Sequence, residues 1–141
     1  MIDLFKYEKR TDYAHMAPND KAIWERFIDA YPTAYSHVQY DFRVGDAPAF
    51  NTLMDDGADW EQDKLYRKRI DVLGYTENRI DVIELKPRAG TSTIGQVEAY
   101  RELLLRDEMP NKKIGMVIIT DFLMPNMEYL CKQKGVQIII I

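Results

Sequence analysis

A predicted β-hairpin near the middle of the chain constrains the fold most strongly. Two apolar-rich runs, RIDVLGY at 69–75 and RIDVIELK at 79–86, flank a short polar turn. Runs of this kind joined by a tight turn are typical of two antiparallel strands. Asp71, Glu84 and Lys86 interrupt the apolar pattern of the two strands. Any fold built on this hairpin must give these three charges a place.

The register of the hairpin is expected to bring the two acids together. A turn made of Glu77 and Asn78, or a four-residue turn over 76–79, places Asp71 directly opposite Glu84. Opposed Cβ atoms in a sheet lie about 4.5–5.5 Å apart, where like charges destabilise the pairing. A divalent cation between the carboxylates would turn this repulsion into coordination, and oxygen ligands suit Mg²⁺ or Mn²⁺.

Lys86 adds a positive charge beside the predicted acidic pair. Residues two apart on a strand share a face, so Lys86 and Glu84 point the same way. The ammonium could hold a nucleophilic water or stabilise charge on a phosphate. The alternative is an ordinary salt bridge on a solvated strand. Ile80 and Val82 lie on the same strand face as Glu84, so that face is not simply exposed to solvent.

The remaining pattern predicts an α/β fold with a mixed central β-sheet flanked by helices, in the order α-β-β-β-α-β-α-β. Residues 46–63 are predicted to form a loop, residues 1–18 show no clear pattern, and the length predicts a single domain over 1–141. The predicted helices span about 19–31, 93–106 and 125–134, and the predicted strands 36–45, 66–75, 79–86, 113–120 and 136–141.

Composition argues against several classes of protein. Cys131 is the single cysteine, so no internal disulfide can form, and the two histidines, His15 and His37, are far apart. A histidine-rich zinc site or a His-based triad therefore has little support. With no apolar run of membrane-spanning length and no secretory signal, we expect a cytoplasmic protein. The net charge of −4 argues against coating nucleic acid by charge alone.

The hairpin and the helix after it resemble the PD-(D/E)xK nuclease superfamily. The matching motif is Asp71, then twelve residues, then the tripeptide at 84–86. The following helix supplies Gln96 and Tyr100 at the spacing of the RecB-like branch. The motif departs in one respect, because Ile70 stands where the superfamily has a proline. The resemblance implies a restriction-endonuclease-like core.

The resemblance also implies roles for individual residues. Asp71 and Glu84 would ligate Mg²⁺ or Mn²⁺, with the backbone carbonyl of Leu85 as a further ligand. Lys86 would position the attacking water. An acidic residue from the first helix sometimes completes such a site, and Glu25 is the best candidate.

Gln96 and Tyr100 would support the same site from the helix. Gln96 would contact the active site, and Tyr100 would orient it or touch a phosphate. Each of these residues also has an interpretation outside catalysis. Gln96 has the spacing from Thr93 of a capping box, in which it would only close the helix N-terminus. Tyr100 could be a core residue whose hydroxyl is hydrogen-bonded, and Glu25 could be a solvated acid.

Basic residues near these positions could bind the DNA phosphates on either side of the cleaved bond. The candidates for binding nucleic acid are Arg67, Arg69, Arg88 and Arg101. In the predicted register Arg69 lies opposite Lys86. Ordinary solubility charges on an edge strand are the alternative, particularly for Lys68.

The predicted function is therefore Mg²⁺-dependent hydrolysis of DNA phosphodiester bonds. No base-reading motif is present, so strong sequence specificity is not expected. A second hypothesis is a nuclease fold that serves as an assembly component, as in phage head-neck proteins, which would place the protein in a virion. A third is a restriction-type or junction-cutting enzyme, which needs a homo-oligomer.

Overall fold

The computed structural model describes residues 4–46 and 67–141. The strands in these ranges are β1 (Phe5–Lys6), β2 (His37–Val44), β3 (Lys68–Tyr75), β4 (Arg79–Ala89), β5 (Lys113–Leu123) and β6 (Val136–Ile140). The helices are α1 (Pro18–Ala30), α2 (Thr91–Glu108) and α3 (Met127–Lys134). None of the helices in these ranges combines the length and the apolarity needed to cross a membrane.

The strands form one mixed sheet in the order β1-β2-β3-β4-β5-β6. Pairing is antiparallel from β1 to β4 and parallel from β4 to β6. Parallel neighbours need a crossover connection, and α2 and α3 supply the two that are required. The predicted mixed sheet with flanking helices is confirmed, with the short β1 as an additional strand in a segment that had no clear pattern.

The hairpin of β3 and β4 has the predicted register. Its ladder ends at the pair Val72↔Ile83. One further step along the same register places Asp71 across from Glu84. The acidic pair therefore begins where the backbone pairing of the two strands stops.

Helices cover both faces of this sheet. On one face, called the α1 face here, Trp24 of α1 packs in a cluster that includes Leu85 of β4. On the opposite α2 face, Leu104 of α2 packs in a cluster that includes Val82. Because side chains alternate along a strand, Glu84 lies on the same face as Val82, under α2. Cys131 of α3 is buried in a separate cluster that includes Val97 of α2.

Several predicted boundaries shift by a few residues. α2 begins two residues earlier than predicted, with Gly90 as its N-cap. The Thr93 N–H donates to the Gly90 carbonyl, and the Gly90 N–H donates to the Thr93 hydroxyl. The capping box between Thr93 and Gln96 is therefore wrong, because Thr93 occupies the third helical position itself. α3 begins at Met127, two residues later than predicted, and ends at Lys134 as predicted, with Gly135 at φ +71° as its C-cap. The predicted loop at 46–63 lies outside the described residues except for its first residue.

Candidate active site

A cleft of about 380 Å³ opens where β3 and β4 separate, under the N-terminal half of α2. Its walls come from β2, β3, β4, both long helices and the segment before α1. The lining residues are Ala14, His15, Met16, Asp20, Asp41, Arg67, Lys68, Arg69, Asp71, Glu84, Leu85, Lys86, Gln96 and Tyr100. The cleft therefore contains both predicted acids, the predicted lysine and both predicted helix residues.

Asp71 and Glu84 meet at the end of the hairpin ladder. The Leu85 N–H donates to Asp71 Oδ2 over 3.0 Å, so a carboxylate takes the place of a strand carbonyl at this point. The interaction between the two carboxyl groups raises the pKa of Glu84 and lowers that of Asp71, so a proton shared by the pair favours Glu84. Both side chains line the same cleft, so the two acids project from the same side of the sheet.

Burial makes full ionisation of this pair unfavourable. Glu84 is 4% exposed, and desolvation, followed by the charge of Asp71, raises the pKa of Glu84 well above its usual range. Desolvation also raises the pKa of Asp71, although the bond from the Leu85 N–H opposes this. Two carboxyl groups in such a site hold a proton between them. Within the described ranges Glu84 Oε1 has no hydrogen-bond partner.

Lys86 stands beside the pair on the cleft wall. Its positive charge lowers the pKa values of both Asp71 and Glu84, against the effect of burial. Lys86 also lowers the pKa of Asp20, which burial raises. The ammonium is therefore electrostatically coupled to three carboxyl groups of the cleft.

Gln96 and Tyr100 approach the acids from α2. Tyr100 is 8% exposed and belongs to the core under this helix. Burial, followed by the charges of Glu84 and Asp71, raises the pKa of Tyr100 to about 12, and a hydrogen bond with Gln96 opposes the rise. Gln96 Oε1 is buried and has no partner among the described residues. Tyr100 therefore combines a core position with a place on the cleft wall.

The first helix contributes a different acid from the expected one. Glu25 does not line the cleft, and its Oε2 accepts a hydrogen bond from the Tyr13 hydroxyl over 2.9 Å. Asp20, in the first turn of α1, lines the cleft instead. In the sequence Asp20 lies at the start of the first predicted helix and was not a candidate for the site. Its proximity to β4 depends on how α1 crosses the sheet, which the sequence pattern does not specify.

Two of the four predicted phosphate-binding arginines lie in the cleft. Arg67 and Arg69 line its wall. Arg88 does not, because its guanidinium lies over the Phe122 ring, 4.6 Å from the ring centroid. Arg101 donates from Nε to the Ile114 carbonyl and lines a separate depression.

His15 and Asp41 are cleft residues that sequence reasoning missed. His15 Nε2 lies 3.7 Å from Asp41 Oδ2. His15 belongs to the segment without a clear pattern, and Asp41 takes a polar position in the regular alternation of β2, so neither residue stood out in the sequence.

Oxygen atoms suited to a cation come from few residues. In the described part of the chain, no three His, Cys, Asp or Glu side chains are close enough to form a metal-binding group. The Asp71 and Glu84 carboxylates, together with the Leu85 carbonyl, are the atoms that could hold a hard cation here. Such a site would leave most coordination positions to water or substrate.

Comparison with solved structures identifies two endonucleases of similar fold. One is a repair endonuclease from Pyrococcus abyssi, with a TM-score of 0.51 and 17% identity over 94% of this chain. The other is EndoMS in a complex with double-stranded DNA, with a TM-score of 0.52 and 19% identity over 94% of this chain. No family model matches the chain, and no curated protein matches it.

This chain spans about half the length of either structure, 49% in each case. At identities this low the likeness establishes the fold and not the activity. The chain therefore has the mixed α/β fold of restriction-endonuclease-like enzymes, and its cleft lies at the separated strands of that fold.

Proposed function

We propose that this protein is a metal-dependent nuclease of the PD-(D/E)xK type that hydrolyses phosphodiester bonds of DNA. The observation that carries the proposal is the buried pair of Asp71 and Glu84, with a carboxylate oxygen of Glu84 left without a partner. A chain gains nothing in stability from two such acids, because each raises the cost of ionising the other. Their retention in an open cleft is explained by a cation that binds between them.

The donor set fits Mg²⁺ or Mn²⁺, which prefer oxygen ligands. Asp71, Glu84 and the Leu85 carbonyl would hold the ion, and Asp20 is the acid of α1 placed to assist through a bound water, in place of Glu25. When bound, such a cation polarises the phosphate and makes a coordinated water more acidic.

The other residues of the cleft have separate tasks in this proposal. Lys86 donates to the oxygen of the attacking water and orients it toward phosphorus. The new bond forms between water oxygen and phosphorus, the bond to the leaving sugar oxygen breaks, and a proton passes to that oxygen. Gln96 and Tyr100 fix the position of the acidic pair from α2, and Arg67 and Arg69 contact the phosphates.

DNA is the proposed substrate for two reasons. The cleft carries basic side chains beside the acids, and one of the similar structures is bound to double-stranded DNA. The sequence contains no base-reading motif, so we expect the cut to depend little on base sequence.

The test is a cleavage assay on duplex and single-stranded DNA with Mg²⁺, Mn²⁺ or EDTA. We expect cleavage with either metal and none in EDTA. Glu84→Gln and Lys86→Met should each lower the rate by about 10²–10⁴-fold, the range for positioned acid–base and electrostatic groups. Glu25→Gln and Arg101→Ala remove one acidic and one basic charge outside the cleft, and both variants should cut like the wild type.

A thermal melt tests the metal separately from activity. Mn²⁺ should raise the melting temperature of the wild type and of Glu25→Gln by about 3–6 °C at saturating concentration. It should leave Glu84→Gln unchanged, because that variant lacks one of the two carboxylates. Equal stabilisation of all three proteins, together with cleavage that survives both cleft variants, would refute the assignment of the site.

The assembly hypothesis predicts a different outcome. A protein that uses this fold only to occupy a place in a particle would show no metal-dependent cleavage and would bind stably to a larger assembly. No observation in the described residues favours that role over catalysis.

A further inference from the structure

Asp41 departs from regular strand geometry at the edge of the cleft. Its φ is +53°, the left-handed region that residues with a Cβ seldom adopt. On either side the β2–β3 ladder is regular, with the pairs Tyr40↔Val72 and Phe42↔Ile70. The same register places Asp41 across from Asp71. The break in β2 is therefore one residue long and lies beside the proposed catalytic pair.

The Asp41 carboxylate lies among three nitrogen-bearing side chains. His15 Nε2 lies 3.7 Å away, an Arg43 terminal nitrogen 3.4 Å and Arg69 Nε 3.6 Å. Asp41 and Arg43 are mostly buried, at 12% and 10% side-chain exposure. His15 and Arg69 remain about half exposed, at 57% and 45%. The arrangement has a mostly buried carboxylate at its centre, with an imidazole and a guanidinium that reach the solvent of the cleft.

The geometry at Arg69 leaves it able to bind a second anion. Asp41 meets Arg69 through Nε. A guanidinium has five N–H donors in a rigid fork, so both terminal nitrogens keep donors that can face the cleft. The attraction between Nε and the Asp41 carboxylate, 3.6 Å apart, favours orientations of the guanidinium in which its terminal nitrogens face the cleft.

We propose that Asp41 holds Arg69 and His15 as a subsite for one non-scissile phosphate of a bound DNA strand, next to Asp71 and Glu84. The proposal rests on the proposed nuclease function and deepens it, because it assigns a positioning role to Asp41 and a phosphate contact to His15. The strained backbone of Asp41 is explained by the need to bring its carboxylate close to both His15 and Arg69 at once.

The sign of one substitution distinguishes this role from simple electrostatics. Asp41→Asn removes a negative charge from a DNA-binding cleft, so charge alone predicts tighter binding of DNA. A positioning role predicts weaker binding, because Arg69 and His15 lose the group that orients them. Asparagine also tolerates the left-handed region, so this variant changes the charge and keeps the backbone.

The experiment measures the affinity of a short fluorescent DNA duplex in EDTA, where no cleavage occurs. We expect Asp41→Asn and Arg69→Gln each to weaken binding by about 3–10-fold, the loss typical of one charge-assisted contact. The double variant should bind no more weakly than Arg69→Gln alone, because both changes remove the same contact. With Mg²⁺, Asp41→Asn should raise KM and leave kcat nearly unchanged.

Asp46→Asn is the matched control for charge. Asp46 pairs with Arg106 and does not line the cleft. It should bind DNA as tightly as the wild type or more tightly. His15→Gln replaces an exposed side chain, so its effect does not depend on whether the fold tolerates a substitution at Asp41. This variant should also bind DNA more weakly than the wild type.

Three results would overturn the subsite. These are tighter binding by Asp41→Asn, additive losses in the double variant, and unchanged binding by His15→Gln. Failure of the nuclease proposal gives a different pattern, in which the variants alter binding as expected but the wild type does not cut DNA with Mg²⁺ or Mn²⁺.

Discussion

At the scale of single residues, the carboxyl group of Glu84 shows how stability and chemistry oppose each other in this protein. Glu84 lies in the middle of β4 and on the α2 face, where its neighbours Val82 and Ile80 are core residues. Burial and Asp71 favour its protonated form, whereas cation binding needs the ionised form. The protein without a cation is therefore expected to become less stable as the pH rises.

This expectation defines a measurement of pH-dependent stability. The pKa of Glu84 is higher in the folded chain than its ordinary value of 4.5, so the folded state retains a proton that the unfolded state releases. The stability from protonated Glu84 is fully present below pH 4.5 and is lost as the pH rises through the raised pKa. We therefore compare the free energy of unfolding of Glu84→Gln with that of the wild type in EDTA. The difference should shift in favour of the variant by about 1–3 kcal/mol between about pH 5 and about pH 8.

Urea unfolding at several pH values measures this difference directly. The informative quantity is the free energy of unfolding of Glu84→Gln minus that of the wild type, since other titrating groups are common to both proteins. A difference that stays constant with pH would show that Glu84 is not buried beside Asp71 in the way described. Saturating Mn²⁺ should abolish the pH-dependent loss in the wild type alone.

At the scale of elements, a buried polar network on β4 lies against the N-terminal end of β5. Asp81 is 2% exposed and accepts hydrogen bonds from the Tyr35 hydroxyl and from the Arg79 guanidinium. Gly115 of β5 lies directly against its carboxylate. A buried charge of this kind is tolerated because it is paired and hydrogen-bonded.

This contact predicts opposite effects for two glycine substitutions. A Cβ at position 115 would lie 2.2 Å from Asp81 Oδ1, which the Tyr35 and Arg79 contacts prevent from moving aside. Gly115→Ala should therefore cost about 1–3 kcal/mol. Gly95, on the exposed side of α2, has open space for a Cβ, so Gly95→Ala should stabilise the fold by about 0.5–1 kcal/mol.

Chemical unfolding of both variants provides the check. Each variant inserts one methyl group in place of hydrogen, so the pair separates steric conflict from helix propensity. Equal effects of the same sign would contradict the described packing of β5 on Asp81. Metal binding should survive in Gly95→Ala, because its new methyl group points away from the acids.

At the scale of the whole molecule, charge is distributed unevenly over a chain whose net charge is −4. The cleft wall carries Arg67, Lys68, Arg69 and Lys86 beside its acids. We expect DNA binding to involve about three phosphates. In EDTA, where no cleavage occurs, a plot of log Kobs against log salt concentration should therefore have a slope of about −3.

Variants of the four predicted arginines test which of them contact DNA. Arg67→Ala and Arg69→Ala should each reduce the magnitude of the slope by about 1. Arg88→Ala and Arg101→Ala lie outside the cleft and should leave it unchanged. A slope that responds equally to all four would indicate diffuse electrostatic attraction and would remove the cleft from the binding surface.

Much of the fold could be predicted from local pattern. The alternation of apolar residues and the short polar turn specify β3, β4 and their register, and that register brings Asp71 to Glu84. Helix and strand order follow from periodicity in the same way. The predicted boundaries of the elements were less accurate. The predicted capping box of α2 joined Thr93 to Gln96, whereas the observed cap joins Gly90 to Thr93 and starts the helix earlier.

The sequence by itself determined the hairpin, its acidic pair and the neighbouring lysine, because register and strand alternation are local properties. The tertiary structure decided which other side chains share the cleft. Asp20 enters in place of Glu25, and Arg88 and Arg101 turn elsewhere, because the crossing of α1 and the twist of the sheet depend on packing across the whole core. Contacts between residues far apart in the chain follow from that packing and leave no periodic trace in the sequence.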